Sequence, residues 1–278
     1  MNLLKVFSKK SAIIILVILA FSMYIISGFI NPLIVSDYTY TSTKIPSSFD
    51  GFKIVHISDF HCKDFGYQEE DLIHTIKETE PDIIVFTGDS IDDEHTIDNY
   101  RYLLSGIYGI APIYYINGNH EYDPLAPYNE MLTLHKEFHV INLNDSSVVL
   151  TRDNESILLS GLDFRDTMRG LRSDIDYANT SVFNILLYHG TDKFDGIAPY
   201  NYDLVLSGHT HGGIVCLPFI GGIITNQKEL FPKYDSGVFT VGNSTMISSR
   251  GLGDASVPRF HNPREVVTIT LHTAESDS

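Results

Sequence analysis

The sequence predicts an α/β domain that follows one apolar N-terminal helix. In the first half of the chain, short apolar runs typical of buried strands alternate with polar segments of helical periodicity. In the last part, strand-like runs follow one another without clear helices between them. The alternation is typical of parallel strands with crossover helices, and the strand-rich ending predicts one mixed sheet or two sheets packed together, with helices outside.

The predicted elements come from apolar periodicity. Leu72, Ile73 and Ile76 share one face of a helix predicted over residues 68–79. Residues 221–233 are rich in glycine and polar residues and predict a long loop. Strands are predicted at residues 53–58, 82–87, 112–116, 156–159, 183–188, 203–206, 237–241, 246–249 and 265–271.

The composition excludes several classes of protein. The chain has 278 residues and a formal net charge of −16, from 19 Lys and Arg against 35 Asp and Glu. Hydrophobic residues make up 43%, which is enough for a folded core, and the acidic balance argues against a nucleic acid partner. Two cysteines exclude a disulfide scaffold and a cysteine-rich zinc site. They leave open whether Cys62 and Cys216 pair or remain isolated thiols.

The N-terminal region predicts a membrane anchor. Residues 12–30 carry no charged side chain, and a helix of that length spans about 28 Å, close to the hydrocarbon thickness of a bilayer. The run is longer than the core of a cleaved signal peptide, the alternative, and no Ala-x-Ala site follows it. Lys5, Lys9 and Lys10 predict a cytoplasmic N-terminus and an extracytoplasmic domain in the cell membrane. We expect a basic tail at 1–11, the anchor at 12–30, a linker at 31–44, the folded domain at 45–273 and a tail at 274–278.

Metal-ligating residue types follow five of the predicted strands. D-x-H follows the first strand, G-D the second, G-N-H-E the third, a single histidine the fifth and G-H-x-H the sixth. Taken alone, each pattern is also common where a strand ends in an ordinary turn or where a histidine has only a structural role. Because sites in α/β folds gather at the carboxyl ends of strands, adjacent strands would bring these ligands together. The set suits two ions that share a ligand better than one tetrahedral ion, and it comprises Asp59, His61, Asp89, Asn119, His189, His209 and His211.

The order of these motifs over about residues 50–271 resembles the calcineurin-like metallophosphoesterase family. The apolar N-terminal run, together with SSRGLG at residues 248–253, resembles the membrane-anchored bacterial subgroup. Members of that subgroup are described as phosphodiesterases or UDP-2,3-diacylglucosamine pyrophosphatase-like. The resemblance implies a four-layer αββα sandwich of two mixed β-sheets. The sequence departs from the family pattern after His189, where G-T-D at residues 190–192 replaces the expected E-P-D. This departure puts the conformation of the local loop in question.

The resemblance also implies which residues bind the first of two metal ions. By position in the motifs, Asp59 and His61 bind this ion, and His211, which follows the sixth strand, binds it as well. Asp89 bridges the two ions.

The remaining motif positions are implied to hold the second ion and a catalytic group. Asn119, His189 and His209 bind the second metal, and His120 is a non-ligand acid or phosphate contact. The ligands are nitrogen and oxygen without thiolate. They are compatible with two divalent ions of Mn, Fe, Zn or Co, without a choice between them.

The function implied is a membrane-anchored, metal-dependent phosphoesterase. It would hydrolyse phosphomonoester, phosphodiester or pyrophosphate bonds through attack by a metal-activated hydroxide. One alternative is a lipid-specific UDP-2,3-diacylglucosamine-type pyrophosphatase or phospholipid phosphodiesterase, acting on a lipid or another envelope component. An alternative of another class is a metal-bound scaffold without turnover. Arg165, Arg169 and Arg250 can be phosphate contacts, but each is more often a surface or structural arginine.

Overall fold

The computed structural model describes residues 9–165, 178–254 and 257–275. The α-helices in these ranges are α1 (Lys9–Gly28), α2 (Glu70–Glu78), α3 (Asp98–Ile107), α4 (Tyr128–Glu137) and the short α5 (Phe194–Ile197). The strands are β1 (Leu33–Ser42), β2 (Lys53–Ile57), β3 (Ile83–Thr87), β4 (Ile113–Ile116), β5 (Ile141–Asn142), β6 (Ser146–Arg152), β7 (Glu155–Gly161), β8 (Asn184–Gly190), β9 (Leu204–Gly208), β10 (Val215–Leu217), β11 (Gly221–Ile224), β12 (Gly237–Val241), β13 (Ser244–Ser248) and β14 (Arg264–Thr273).

Two large mixed sheets form the centre of the described fold. The first has the strand order β1-β14-β2-β3-β4-β5, and the second has the order β12-β13-β9-β8-β7-β6. Strands β2, β3 and β4 are parallel, as are β7, β8 and β9, while β14 is antiparallel to β2 and β12 to β13. Strands β10 and β11 form a separate hairpin. The predicted mixed α/β class with two sheets is confirmed.

Three apolar clusters hold the layers together. Buried side chains from both sheets, such as Val85 of β3 and Leu206 of β9, form the core between the sheets. Helices α2, α3 and α4 pack on the outer face of the first sheet through side chains such as Leu72 and Leu104. Phe194 of α5 belongs to a smaller cluster on the outer face of the second sheet. The layers therefore run helix, sheet, sheet, helix.

The prediction of a linker at residues 31–44 was wrong, because this segment contains strand β1. It pairs in parallel with β14 along its whole length, from Leu33 opposite Arg264 to Ser42 opposite Thr273. The stretch SDYTYT at 36–41 alternates between the two faces, and Tyr40 packs against the core between the sheets. Residues 31–44 were predicted to be a linker because they directly follow the apolar helix.

The predicted loop at 221–233 also begins with a strand. Strand β11 pairs antiparallel with β10, and Cys216 lies opposite Gly222. Two successive glycines have low strand propensity, which is why the pattern favoured a loop. Cys216 and Cys62 are both buried free thiols, so they are the isolated cysteines that composition left open.

Helix α1 projects from the folded domain. The helix is almost wholly exposed, and by length and composition it is long and apolar enough to cross a membrane. Its last turn packs on the segment that precedes β14. The ring centroids of Tyr24 and Phe29 lie 6.0 and 5.3 Å from that of Phe260, and the backbone N–H of His261 donates to the carbonyl of Gly28 at 2.6 Å.

The strand directions place the ends of several strands near the C-terminal end of α1, at Gly28, which we call the foot of α1. Strand β1 begins just after α1 and runs parallel to β14. Because β14 is antiparallel to β2, the carboxyl ends of β2 and its parallel neighbours β3 and β4 lie at the end where β1 starts. The motif residues follow these carboxyl ends.

Candidate metal site

The structure brings the predicted site residues together where the two sheets meet at this end. Six of them are buried, and the remaining two, Asn119 and His120, are half-buried. Asp59 and His61 follow β2, Asp89 follows β3, Asn119 and His120 follow β4, His189 lies in β8, and His209 and His211 follow β9.

Several of these residues have a strained backbone. The φ angles of Asp59, His61, Asp89, His209 and His211 are 51°, 50°, 51°, 74° and 48°. The left-handed region costs an L-residue about 1–2 kcal/mol. Such strain is typical of functional sites, where the surrounding fold holds a conformation that local preference disfavours.

Asp59, His61 and His211 form the first ligand group. One ligand atom from each lies within 4.8 Å of the others, and Nε2 of His211 is 3.5 Å from Oδ1 of Asp59. The backbone N–H of His209 donates to both carboxylate oxygens of Asp59 at 3.0 Å, and the hydroxyl of Ser58 donates to one of them at 2.5 Å. These bonds fix the carboxylate before any ligand binds.

Asp89, His189 and His209 form the second group, and Asn119 adjoins it. Nε2 of His189 lies 3.2 Å from Oδ2 of Asp89, 3.0 Å from Nδ1 of His209 and 3.3 Å from Oδ1 of Asn119. Nδ1–H of His189 donates to the carbonyl of Thr87 at 2.6 Å, which leaves Nε2 as the ligand atom. The amide oxygen, carboxylate and imidazoles therefore face one point.

One carboxylate oxygen stands between the two groups. Oδ2 of Asp89 is 3.2 Å from Nε2 of His189 and 3.9 Å from Nε2 of His61, which belongs to the first group. Oδ2 of Asp89 and Nε2 of His61 are both buried and have no hydrogen-bond partner among the described residues. Buried polar atoms are rarely left unpaired. Divalent cations on the two sides of Asp89 would pair both atoms, so these residues fit a binuclear centre.

The two carboxylates are held in the ionised form that metal binding requires. Burial acts to raise the pKa of each. For Asp59, the neighbouring His211 and His189 outweigh burial and lower the pKa. For Asp89, His189 and His61 hold the pKa well below its usual range.

The histidines differ in protonation. Burial lowers the pKa of His209 to about 4 and that of His211 to about 3, so both rings are neutral near pH 7 and can act as ligands. Burial also acts to lower the pKa of His189, but Asp89 raises it to about 10. A positive charge is thus strongly favoured beside Asp89, and a bound cation would take the place of that proton.

His120 borders the site, and one of its ring nitrogens lies within 4.8 Å of ligand atoms of His61 and Asp89, so these three residues form a further candidate group. Its backbone N–H donates to Oδ1 of Asp89 at 2.8 Å, and its Nδ1 lies 2.8 Å from Oδ2 of Asp123. Burial acts to lower its pKa, but Asp89 and Asp123 raise it overall. The ring is a third exposed and lines the adjoining cavity.

A cavity of about 660 Å³ opens over the two groups. His61, Asn119, His120, His209 and His211 line its floor, which is large enough for a small organic ligand. Half of its ten other lining residues are acidic, and only Lys193 among them is a lysine or arginine; the acidic residues are Asp92, Asp93, Glu94, Asp192 and Asp254. An anionic ligand therefore has to obtain its electrostatic attraction from cations bound at the floor.

Glu121 organises the site, although no role was predicted for it. Its buried carboxylate accepts the backbone N–H groups of Asp89 at 2.9 Å, Ser90 at 2.8 Å and Gly118 at 2.7 Å. It thereby joins the loop after β3 to the loop after β4. The only sequence signal was its place at the end of G-N-H-E.

Two further side chains touch ligands from distant parts of the chain. The amide of Gln227 contacts Nε2 of His209, which leaves Nδ1 facing the second group. The buried guanidinium of Arg259 donates to the carbonyls of Arg250 at 2.9 Å and Gly253 at 2.6 Å, and it lies 3.3 Å from Nδ1 of His211. Neither residue belongs to a motif, so sequence reasoning had no means to find them.

Of the arginines considered as phosphate contacts, the two that the structure describes do not line the cavity. Arg250 donates to Oδ1 of Asn262 at 3.1 Å, and Arg165 lies over the ring of Tyr122 at 3.9 Å. Arg169 lies outside the described residues.

We expect Glu121→Gln to weaken both the fold and the site. A glutamine amide places a donor where three backbone N–H groups need an acceptor, and a buried group left unpaired costs about 1–3 kcal/mol. The free energy of unfolding should fall by that amount, and the affinity for Mn²⁺ should fall with it. Glu130→Gln, on the exposed face of α4, is the matched control and should change neither. Equal stability and Mn²⁺ affinity in the two variants would refute this role.

The comparisons with known proteins agree with this geometry. The family model described as calcineurin-like phosphoesterase matches residues 52–213, more than half of the chain. A Bacillus subtilis protein described as uncharacterized metallophosphoesterase YkuE is 34% identical over 254 residues, covering 85% of this chain and 84% of its own. An Aquifex aeolicus protein described as an uncharacterized metallophosphoesterase is 30% identical over 253 residues, covering 85% of this chain and 91% of its own.

A relative with a more specific name is Phosphodiesterase YaeI of Escherichia coli. It is 25% identical over 226 residues, covering 79% of this chain and 82% of its own. The family model and these relatives confirm the family that the order of motifs indicated. The chain belongs to the calcineurin-like phosphoesterase family and is a metal-dependent phosphoester hydrolase.

Proposed function

We propose that this protein is a membrane-anchored phosphodiesterase with a binuclear metal centre formed by the two ligand groups. The observation that carries the proposal is the unpartnered Oδ2 of Asp89, which stands between His61 of the first group and His189 of the second. The similarity to a protein named as a phosphodiesterase supports the substrate class.

In this proposal, Asp59, His61 and His211 hold one cation, and Asn119, His189 and His209 hold the other. Asp89 lies between the two sets and would serve both cations. The cations, when bound, polarise the phosphoryl oxygens and lower the pKa of a water. The chain keeps the ligands fixed through the carbonyl of Thr87 on His189 and the backbone N–H of His209 on Asp59, so little reorganisation is needed on binding.

His120 is proposed as the group that protonates the leaving alkoxide. It faces the cavity beside Asn119, and Asp123 at 2.8 Å orients its ring. A histidine in this place can hold a proton near neutral pH and release it to an oxygen within hydrogen-bond reach. Its backbone N–H is bonded to Asp89, which couples its position to the bridging carboxylate.

The membrane part of the proposal rests on α1. The helix carries Lys9 and Lys10 at its start, is otherwise uncharged and exposes its apolar side chains. Lys5, the third lysine of the predicted tail, lies outside the described residues. We propose that α1 is an uncleaved single-pass anchor with its N-terminus in the cytoplasm and the hydrolase domain on the other side.

A test of hydrolysis uses the full chain in detergent with bis(p-nitrophenyl) phosphate. We expect release of p-nitrophenol that stops after treatment with EDTA and returns on addition of Mn²⁺, because the cations supply the positive charge that the acidic cavity lacks. An EDTA-treated protein that keeps full activity, or a Mn²⁺-loaded protein that cleaves no ester in a broad panel, would contradict the proposal.

A lipid-specific activity, on a phospholipid or a UDP-2,3-diacylglucosamine-type pyrophosphate, is a second candidate. It is favoured by the position of the ligand groups at the same end of the sheets as the foot of α1. Comparing a vesicle-embedded diester with a soluble one of the same headgroup tests it. Preference for the embedded substrate supports it, and equal rates on both argue against it.

A further inference from the structure

Four large apolar side chains are exposed on the hairpin β10–β11 and the chain that follows it, two in the hairpin turn and two where the following chain pairs with the end of β11. We call them the apolar tip. They are Phe219, Ile220, Leu230 and Phe231, whose exposures are 108%, 59%, 63% and 64%. Scattered exposed apolar residues are ordinary, but a group of large ones joined in one short element is typical of an interaction site.

The hairpin turn of the apolar tip holds Phe219 in a strained backbone conformation. The N–H of Ile220 donates to the carbonyl of Leu217 at 3.2 Å and closes a tight turn. Phe219 occupies this turn at a φ of 68°, a position that favours glycine or asparagine. The chain thus holds a fully exposed aromatic ring on a strained backbone, which neither packing nor turn preference explains.

The hairpin is attached to the foot of α1. The N–H of Cys216 donates to the carbonyl of Phe260 at 2.9 Å, and the N–H of Phe260 donates to the carbonyl of Ile214 at 3.1 Å. The other side of Phe260 carries the last turn of α1, through the rings of Tyr24 and Phe29. The hairpin that carries the apolar tip is therefore joined through Phe260 to the end of the helix that we propose enters the bilayer.

The same element also reaches the candidate site. Between β11 and the second half of the tip, residues 225–229 form a tight loop in which the N–H of Thr225 bonds to the carbonyl of Glu229 at 3.0 Å. Asn226 and Gln227 of this loop line the cavity, and Gln227 contacts His209. One continuous element thus carries apolar side chains outward and polar side chains into the cavity.

We propose that the apolar tip inserts into the interfacial layer of the bilayer that α1 enters, and that this holds the cavity at the lipid surface. Phosphate esters of lipid headgroups are then the substrates that lie nearest to the cavity. The inference rests on the membrane anchor given under Proposed function and not on the hydrolytic reaction. Rings of this kind are stable at the boundary between headgroups and acyl chains, where an exposed apolar surface leaves water.

The chain contains no tryptophan, so a single introduced tryptophan is a unique fluorescent probe. We would place full-length Ile220→Trp in phosphatidylcholine vesicles and compare its emission with that in vesicles of phosphatidylcholine brominated on the acyl chains. Phe21→Trp, in α1, reports on the anchor. Val149→Trp is the matched control, because Val149 lies on edge strand β6 and its exposure of 60% equals that of Ile220 within 1%.

We expect brominated lipid to quench Phe21→Trp and Ile220→Trp and to leave Val149→Trp unchanged. Ile220→Trp should also emit at a shorter wavelength in vesicles than a tryptophan exposed to water does, as in Val149→Trp. Emission from Ile220→Trp that matches Val149→Trp would overturn the inference, whether or not Phe21→Trp is quenched. This readout needs no catalysis, so its failure is distinct from a failure of the proposed hydrolysis.

A second variant tests the consequence for substrates. Phe219→Asp introduces a residue type that tolerates the left-handed backbone and removes the apolar ring. We expect a lower kcat/KM on a vesicle-embedded diester and unchanged turnover of bis(p-nitrophenyl) phosphate, with Val149→Asp as control. An equal loss on both substrates, or no loss on either, would show that the tip does not serve access to lipid.

Discussion

Asp89→Asn is expected to reduce kcat for bis(p-nitrophenyl) phosphate by about 10³-fold or more. The substitution keeps the size of the side chain and its contact with the N–H of His120, but it removes the negative charge between the two ligand groups. A neutral amide cannot bridge two cations as a carboxylate does, so bound metal should fall as well. Turnover and metal content, measured on the same preparation, check both parts.

The control for this substitution is Asp93→Asn. Asp93 is an exposed carboxylate that lines the same cavity and belongs to neither ligand group. We expect it to keep both turnover and metal content. If Asp89→Asn behaved like Asp93→Asn, Asp89 would not be the bridging ligand.

His120→Ala is expected to lower kcat by about 10²- to 10⁴-fold, the range that a positioned general acid contributes. Metal content should remain that of the unchanged protein, because Asn119, His189, His209 and the bridging Asp89 are all present. KM should change little if the ring acts mainly in the transition state. Steady-state kinetics with metal analysis separates these effects.

His95→Ala is the matched control for His120→Ala. His95 lines the same cavity, and its side chain is 35% exposed compared with 32% for His120. It pairs with Asp92 at 2.8 Å rather than adjoining the bridging carboxylate. Equal rates for the two alanine variants, or loss of metal from His120→Ala alone, would remove His120 from its proposed role as the acid.

The strands and the convergence of chemistry at their ends were predictable because both depend on local pattern. Apolar runs such as 82–87 are long enough to identify a buried strand, and the residue after each run is where an α/β fold places its site. β1 was missed because its alternating pattern directly follows the apolar helix. β11 was missed because it begins with two glycines.

The supporting residues could not be predicted because their roles arise only in three dimensions. Arg259 is 48 residues from His211 along the chain, and Gln227 is 18 residues from His209. Nothing in the local sequence links these pairs. The position of the site at the foot of α1 likewise depends on the register of β1, β14 and β2, which no periodicity specifies.

The most direct test of the binuclear centre is anomalous X-ray diffraction from crystals of the full chain grown with Mn²⁺. The account predicts two anomalous peaks about 3.5–4 Å apart, one bordered by Asp59, His61 and His211 and the other by Asn119, His189 and His209. Oδ2 of Asp89 should lie within ligand distance of both. A single peak, or peaks bound only to the acidic rim of the cavity at Asp93 and Glu94, would contradict it.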